Sequence, residues 1–204
     1  MLRRCRLVTI GIVLAIGMAR AEVIDRILAV VDGAIITQSD ANGAIRLGLV
    51  RGPADPLDAV VDRLIERRLM LREVDRYAPP DPVQADVDRI VAEIRARAGS
   101  PAQFDAILLQ TGIGLDQLQR HVRDDLRIES YLQQRFGAIQ PTEEEIRQYY
   151  TEHAAAFSQG GVLRPFEEAH DVVKAALVAE RRAATIRDWL ADLRRRANVN
   201  IVLR

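Results

Sequence analysis

The fold of this chain can be read from the stretch IDRILAVVDGAIITQSD, residues 24–40. Two runs rich in β-branched residues, 24–31 and 34–37, flank an Asp-Gly pair at 32–33, which is typical of a two-residue hairpin turn. A lone hairpin is only marginally stable in water. The C-terminal run NVNIVL, residues 198–203, alternates polar and apolar side chains and predicts a strand. We therefore expect this strand to pair with the hairpin and to bring the chain ends together.

Six or seven helices are predicted between the hairpin and the last strand, because N-cap and C-cap signals recur along the chain. Ser39 or Asp40 is expected to cap the first helix, which runs to about Leu49. Asp55 is expected to cap the second helix, with Pro56 at its first helical position. The next five helices are expected at about 55–77, 81–99, 100–112, 115–136 and 142–157, the ones at 100 and 142 opened by capping boxes at Ser100 and Thr142. The chain is therefore expected to be mostly α with a small β-sheet.

Residues 166–197 predict one long helix, ~48 Å in length at 1.5 Å per residue. Apolar and small residues recur along it at alternating steps of four and three. They are Val172, Ala176, Ala179, Ala183, Ile186, Leu190, Leu193 and Ala197. We expect this seam to lie continuously on the core of the helical body.

The N-terminus has the layout of a secretory signal peptide. Residues 1–6 contain three arginines, residues 7–16 are apolar, and Ala19 and Ala21 have the spacing of a cleavage site. Cleavage is predicted between Ala21 and Glu22. The alternative is an uncleaved anchor, but the apolar part is shorter than the ~20 residues that a spanning helix needs. We therefore expect an exported chain that does not span the membrane.

Composition excludes several classes of function. The whole chain has 29 basic and 29 acidic residues, and removal of residues 1–21 takes away four arginines and no acid, which leaves a net charge of −4. A mildly acidic chain is a poor partner for nucleic acid, because that function needs a basic face. The single cysteine, Cys5, is removed as well. The mature chain therefore has no disulfide, no thiol nucleophile and no cysteine metal site.

No catalytic residue, metal ligand or cofactor site is predicted. The histidines are His121, His153 and His170. Glu167 and His170 form one Glu-x-x-His pair, which is half of a di-iron pattern, but neither of the other histidines has a Glu three residues earlier. A solvated helix face is the favoured interpretation of that pair, and His121 with Asp125 is interpreted as a surface pair. Motifs for a serine nucleophile, a nucleotide or a dinucleotide are absent.

The apolar stripes are interpreted as core, and Trp189 is expected to pack against the body of the protein. Function must then lie in a surface. The sequence does not identify the residues of that surface, so the substrate-binding residues stay unassigned.

Four segments resemble the SurA-like periplasmic chaperone family. Residues 24–40 resemble its opening hairpin and helix, and 64–70 (LIERRLM) its second helix. Residues 141–150 (PTEEEIRQYY) are similar to the segment before a parvulin-type prolyl isomerase domain, and 166–202 to the closing helix and strand. The resemblance implies a SurA/trigger-factor-like helical chaperone module at 22–204. Its parts would be a hairpin and helices at 22–157, a connector at 157–165, and a closing helix and strand at 166–204.

The chain departs from the family where the isomerase domain would be. The connector at 157–165 has nine residues, whereas a domain needs at least ~50. The resemblance thus implies an ATP-independent periplasmic chaperone for unfolded or outer-membrane polypeptides, without an isomerase domain. Two alternatives stay open: an isomerase family member with residual or unrecognised activity, and an adaptor subunit of an envelope assembly. A homodimer is also left open.

Overall fold

A computed structural model describes residues 25–50 and 56–202 of this chain. This part is mostly helical, with a three-stranded and a two-stranded antiparallel sheet. Its elements are β1 (Ile27–Val31), β2 (Ala34–Thr37), α1 (Gln38–Arg46), α2 (Leu57–Tyr77), α3 (Gln84–Arg97), α4 (Pro101–Thr111), α5 (Leu115–Phe136), α6 (Glu143–Glu152), β3 (Ser158–Gln159), β4 (Val162–Leu163), α7 (Phe166–Arg196) and β5 (Val199–Ile201). The predicted fold class is confirmed.

Two predictions lie outside the described residues. One is the signal peptide at 1–21, with its cleavage site between Ala21 and Glu22, and the other is the N-cap at Asp55. Pro56, the next residue, is extended (φ −61°, ψ 147°) and is the N-cap of α2. Its prediction as the first helical residue was therefore wrong, because the helix begins at Leu57. In the described residues, no helix is both long enough and apolar enough to cross a membrane.

The main sheet joins the two ends of the described chain. Its strand order is β2-β1-β5, with both pairs antiparallel. The turn between β1 and β2 places Asp32 (φ 48°) and Gly33 (φ 87°) in the left-handed region, which Asp and Gly tolerate best. The Asn198 backbone N–H donates to Asp32 Oδ1 at 2.9 Å, so the hairpin turn also fixes the start of β5. The predicted pairing of the last strand with the hairpin is confirmed.

The start of α1 differs from the prediction. Its N-cap is Thr37, whose side chain accepts from the Asp40 N–H while the Asp40 carboxylate accepts from the Thr37 N–H at 2.9 Å. The Ser39 N–H donates instead to Asp25 Oδ1. The prediction of Ser39 or Asp40 as the cap was therefore wrong, because the last residue of β2 already closes a capping box with Asp40. The helix ends at Arg46, three residues before the predicted Leu49.

Two other helix ends also moved. α3 begins at Gln84 instead of 81–82, since Pro82 disfavours helical geometry at Asp81 and Val83 stays extended (ψ 137°). α6 begins at the predicted Thr142 box but ends at Glu152, where a 3-10 turn over 154–157 replaces its expected last turn. The Ser100 side chain accepts from the Gln103 N–H at the start of α4, which confirms the cap but gives only one half of the predicted capping box.

The connector at 157–165 folds as a small hairpin that the sequence analysis did not predict. β3 and β4 pair antiparallel around Gly160 (φ 62°) and Gly161 (φ 82°). Both glycines adopt left-handed geometry, which a two-residue turn requires and which other residues adopt at a cost.

The described residues form four hydrophobic core clusters. Three of them lie among the main sheet and α2 to α5, which we call the main body. The first joins the sheet to α2 and the end of α7 through Leu28, Val60, Val61, Ile65 and Leu193. The second joins α3, α4 and α5 through Val87, Val91, Ile94, Phe104, Leu118 and Val122. The third joins α2 to α5 through Leu71, Val74, Ile128 and Tyr131. These clusters fix the relative positions of the sheet, α2 and α5.

α7 connects the main body to a separate distal cluster. Its first turns bury Ala169, Val173 and Leu177 against α6, and its last turns bury Leu193 against the sheet and α2. The predicted continuous seam was therefore wrong in its first half, where Val172 is 54% exposed and Ala179 is exposed. The helix packs on two different neighbours, and α6 covers a line of residues beside the one that the sequence periodicity selected.

Candidate functional site

The three histidines lie on different elements and do not form a site. His121 is on α5, His153 ends α6, and His170 is on α7. His170 Nε2 lies 3.0 Å from Glu143 Oε2, and its Nδ1 lies 3.0 Å from Asp171 Oδ1. These two carboxylates raise the pKa of His170, Asp171 the more strongly. In the described part of the chain, no three His, Cys, Asp or Glu residues are placed to hold a metal ion. His170 thus links α6 to α7.

An open cleft of about 260 Å³ lies where β2, α1, α2 and the start of α5 meet. Its apolar lining is Ile35, Ile36, Leu49, Leu64, Ile113 and Leu118. Its polar lining is Asp40, Arg67, Arg68, Gln117 and His121. A concave apolar surface with a few polar groups at its border is the usual form of a binding site. We refer to it as the β2 cleft.

The β2 cleft runs along the edge of the main sheet. Ile35 is 55% exposed and Ile36 is buried, and both line the cleft. Successive side chains of a strand point to opposite faces of a sheet. A cleft that both residues line must therefore lie beside the edge of the strand, and β2 is an edge strand.

Charged groups fix the wall that α2 and α5 contribute. Arg67 Nε donates to Asp125 Oδ1 at 2.7 Å, and Arg67 Nη2 donates to the His121 carbonyl at 3.1 Å. Burial raises the pKa of the Asp125 carboxyl, but the neighbouring His121 and Arg67 lower it, so that it lies below its usual value. His121 Nε2 lies 3.3 Å from Asp125 Oδ2 and its side chain is 20% exposed. The structure thus brings the predicted His121–Asp125 pair together, in a partly buried position.

Arg68 has a different environment from its neighbour Arg67. Its side chain is exposed and makes no ion pair or hydrogen bond within the described residues. It also lines a second, wider recess of about 520 Å³ beside Asp32 and Arg72. Among the described residues, the guanidinium of Arg68 thus forms no ion pair at the border of the β2 cleft.

A close contact between α1 and the α4–α5 turn forms one end of the cleft. A Cβ placed on Gly43 would lie 2.2 Å from Ile113 Cδ1. Glycine inside a helix costs up to ~1 kcal/mol relative to alanine, and here it lets Ile113 approach the helix backbone. A glycine within a short helix was the available signal for this approach.

Apolar and aromatic side chains also occur away from the cleft. The ring of Trp189 packs against those of Tyr131 and Phe136, at centroid distances of 5.9 and 5.5 Å. The prediction that Trp189 packs against the body of the protein is confirmed. On the distal part, Val162 is 71% exposed. Neither Trp189 nor Val162 lines the β2 cleft, which combines apolar and charged lining and is the candidate site.

Comparison with known proteins places the fold. The sequence matches no family model and no curated protein. The fold is similar to that of a solved chain from Campylobacter jejuni, with a TM-score of 0.56. That chain belongs to a structural study of the virulence factor PEB4 and the periplasmic protein Cj1289, which are described as two structurally related SurA-like chaperones. The match covers 87% of this chain and 99% of that chain at 12% sequence identity, so what the two share is the fold.

Proposed function

We propose that this protein is an ATP-independent periplasmic chaperone that binds unfolded exported or outer-membrane polypeptides. The observation that carries the proposal is the open β2 cleft, with its apolar lining and charged border, in a body with a SurA-like fold. An open apolar surface holds a client through side chains that most sequences contain, so binding is broad and reversible.

The proposal includes export. The sequence features of residues 1–21 support a cleaved signal peptide, since small residues stand where signal peptidase requires them. N-terminal sequencing of the protein from a periplasmic extract should begin at Glu22. Recovery of chains that retain Met1 in a membrane fraction would contradict both cleavage and the periplasmic assignment.

Suppression of aggregation tests the chaperone activity. The probe is a urea-denatured outer-membrane β-barrel protein, diluted into buffer with or without the purified mature chain, and light scattering is the readout. Ile35→Glu places a charge in the β2 cleft and should raise the protein concentration needed for half-maximal suppression at least fivefold. Leu109→Glu is the matched control, because Leu109 is 85% exposed on α4 and does not line the cleft. Its suppression should equal that of the unaltered protein.

Two results would contradict the chaperone proposal. One is a failure of the unaltered protein to reduce scattering. The other is periplasmic crosslinking that captures one fixed partner and no range of unfolded chains, as expected of an envelope-assembly adaptor.

We also propose that the protein does not catalyse prolyl isomerisation. The connector at 157–165 forms a two-stranded hairpin, and the histidines lie on separate elements. Uncatalysed isomerisation of an X-Pro peptide takes tens of seconds or more, so a rate that stays constant as protein is added is the expected result. A rate that rises with protein concentration and falls on mutation of His121, His153 or His170 would restore the isomerase alternative.

A further inference from the structure

The hydrogen-bonding pattern of the main sheet leaves Ile35 at a free edge. The Asp32 N–H donates to the Asn198 carbonyl, and the Val202 N–H donates to the Leu28 carbonyl. Every second residue of a strand directs its backbone groups to the same side, so Val30, midway between Leu28 and Asp32, also directs its N–H and C=O toward β5. Val30 lies opposite Ile35 in the β1–β2 pair. Hydrogen-bonded and non-hydrogen-bonded pairs alternate in an antiparallel ladder. The N–H and C=O of Ile35 therefore point away from β1, toward the free side of the sheet.

This free edge is short. The Thr37 N–H is already used, since it donates to the Asp40 carboxylate at the start of α1. The hairpin turn at 32–33 ends the strand on the other side. A strand that paired with β2 would form its bonds mainly at Ile35, which suits a weak and reversible contact.

At the border of the β2 cleft, one arginine that is unpaired among the described residues favours an acidic side chain on the occupant. Asp40 is engaged in the α1 cap, and Arg67 is paired with Asp125. Arg68 makes no ion pair with a described residue. The Arg68 guanidinium is therefore available to pair with a carboxylate on the occupant.

We propose that the edge of β2 binds a client by strand addition. An extended client segment pairs with the backbone of Ile35, places an apolar side chain in the β2 cleft, and places an acidic side chain beside Arg68. Backbone pairing supplies affinity that does not depend on the client sequence, and the cleft and Arg68 supply a preference for alternating apolar and acidic segments. This inference rests on the proposed chaperone function and defines how it recognises polypeptide.

Three peptides test strand addition on the unaltered mature protein. The first is a fluorescein-labelled eight-residue peptide of alternating valine and threonine with one central glutamate. The second has lysine in place of the glutamate. The third keeps the glutamate and carries N-methyl groups on its four central amides, which removes the backbone donors and keeps every side chain. Fluorescence anisotropy should show that the N-methylated peptide binds at least tenfold more weakly than the first peptide.

Two proline variants locate the edge that binds. Ile35→Pro removes the N–H at the free edge of β2, and proline is tolerated on edge strands. Ile201→Pro makes the same change at the free edge of β5, on the opposite side of the sheet, where Ile201 is 44% exposed. Ile35→Pro should weaken binding of the glutamate peptide at least tenfold, and Ile201→Pro less than twofold. If circular dichroism shows that Ile35→Pro is unfolded, strand addition is tested by the binding of the N-methylated peptide to the unaltered protein alone.

Arg68→Glu tests the charge. It should reverse the preference, so that the lysine peptide binds more tightly than the glutamate peptide. Equal binding of the parent and N-methylated peptides, equal losses in the two proline variants, or an unchanged charge preference in Arg68→Glu would each overturn the inference. Aggregation suppression, measured in parallel, separates the two levels. A protein that suppresses aggregation but fails the peptide tests keeps the chaperone function and loses strand addition.

Discussion

The shape of the β2 cleft depends on a few individual residues that are distant in sequence. Gly43 and Ile113 are far apart in sequence, yet the absence of a side chain at Gly43 allows Ile113 to form one end of the cleft. Ile35 and Arg68 contribute from two further elements. Such a site depends on tertiary contacts, so periodicity and motif spacing do not reveal it.

The Gly43–Ile113 contact predicts a strong coupling between two substitutions. Gly43→Ala in the unaltered protein adds a methyl group where Ile113 already lies, which costs more than the helix gains from alanine. In an Ile113→Ala background the space is free and the same substitution should stabilise the protein. Urea unfolding of the four proteins of this cycle should give a coupling free energy of about 1 kcal/mol or more. Additive effects would show that Ile113 moves aside without cost.

Helix caps show how far single residues could be predicted. Thr142 and Ser100 were identified because each precedes an acidic or amide residue by three positions and opens a helix with a clear apolar stripe. Thr37 was missed because it is also the last residue of β2. Its place at the end of a β-branched run indicated a strand, so it was not considered as a helix cap. Thr37 and Thr142 close full capping boxes, whereas Ser100 forms only the side-chain half of one.

At the scale of elements, polar contacts along one face hold α6 against α7. Arg181 Nη2 donates to Glu145 Oε1 at 2.6 Å, and the Tyr149 hydroxyl donates to Glu180 at 2.7 Å. The prediction of the apolar seam of α7 was wrong on this face, because the position of α6 depends on tertiary packing and not on the local sequence. The capping box at Thr142 predicted where α6 begins, but not which side of α7 would meet α6.

The Glu145–Arg181 contact predicts a loss of stability in acid. The hydrogen bond from Arg181 lowers the pKa of Glu145 from 4.5 to about 2. A carboxyl with a lowered pKa stabilises the folded state above its ordinary pKa, and this contribution disappears as pH falls through the lowered value. The melting temperature of the unaltered protein should exceed that of Glu145→Gln at neutral pH. The difference should shrink as the pH falls from 4.5 towards 2.

Glu144→Gln is the matched control for this pH series, because Glu144 is exposed beside Glu145 and makes no ion pair with a described residue. Its melting temperature should follow that of the unaltered protein across the series. A difference between the unaltered protein and Glu145→Gln that persists unchanged at pH 2 would contradict the role of this ion pair.

For the whole molecule, the sheet is the feature that the sequence predicted best. Alternation in residues 198–203 and the hairpin signal at 24–40 were both local, and the marginal stability of a lone hairpin supplied the link between them. The existence of a separate distal cluster on α7 could not be predicted in this way. Nothing local distinguishes apolar residues that pack on α6 from those that pack on the main body.

Deletion of residues 198–204 tests the contribution of the last strand. The deletion removes β5 from β1 and takes away the Asn198 N–H that binds Asp32. It would also expose the backbone edge of β1, which favours association between chains. We expect a melting temperature several degrees lower and aggregation without any client present. A truncated protein that melts like the full mature chain would contradict the structural role of β5.

The pairing of β1 with β5 has a consequence for how the chain can be rewired. The Val202 N–H donates to the Leu28 carbonyl, so the two ends of the described chain lie side by side. A circular permutant that joins residue 202 to residue 25 through a short flexible linker, and opens the chain between Gly160 and Gly161, keeps every strand pair of the main sheet. The order of synthesis would change, while the native contacts of the main body would not. Such a permutant should fold, and the β2 cleft should form in it unchanged.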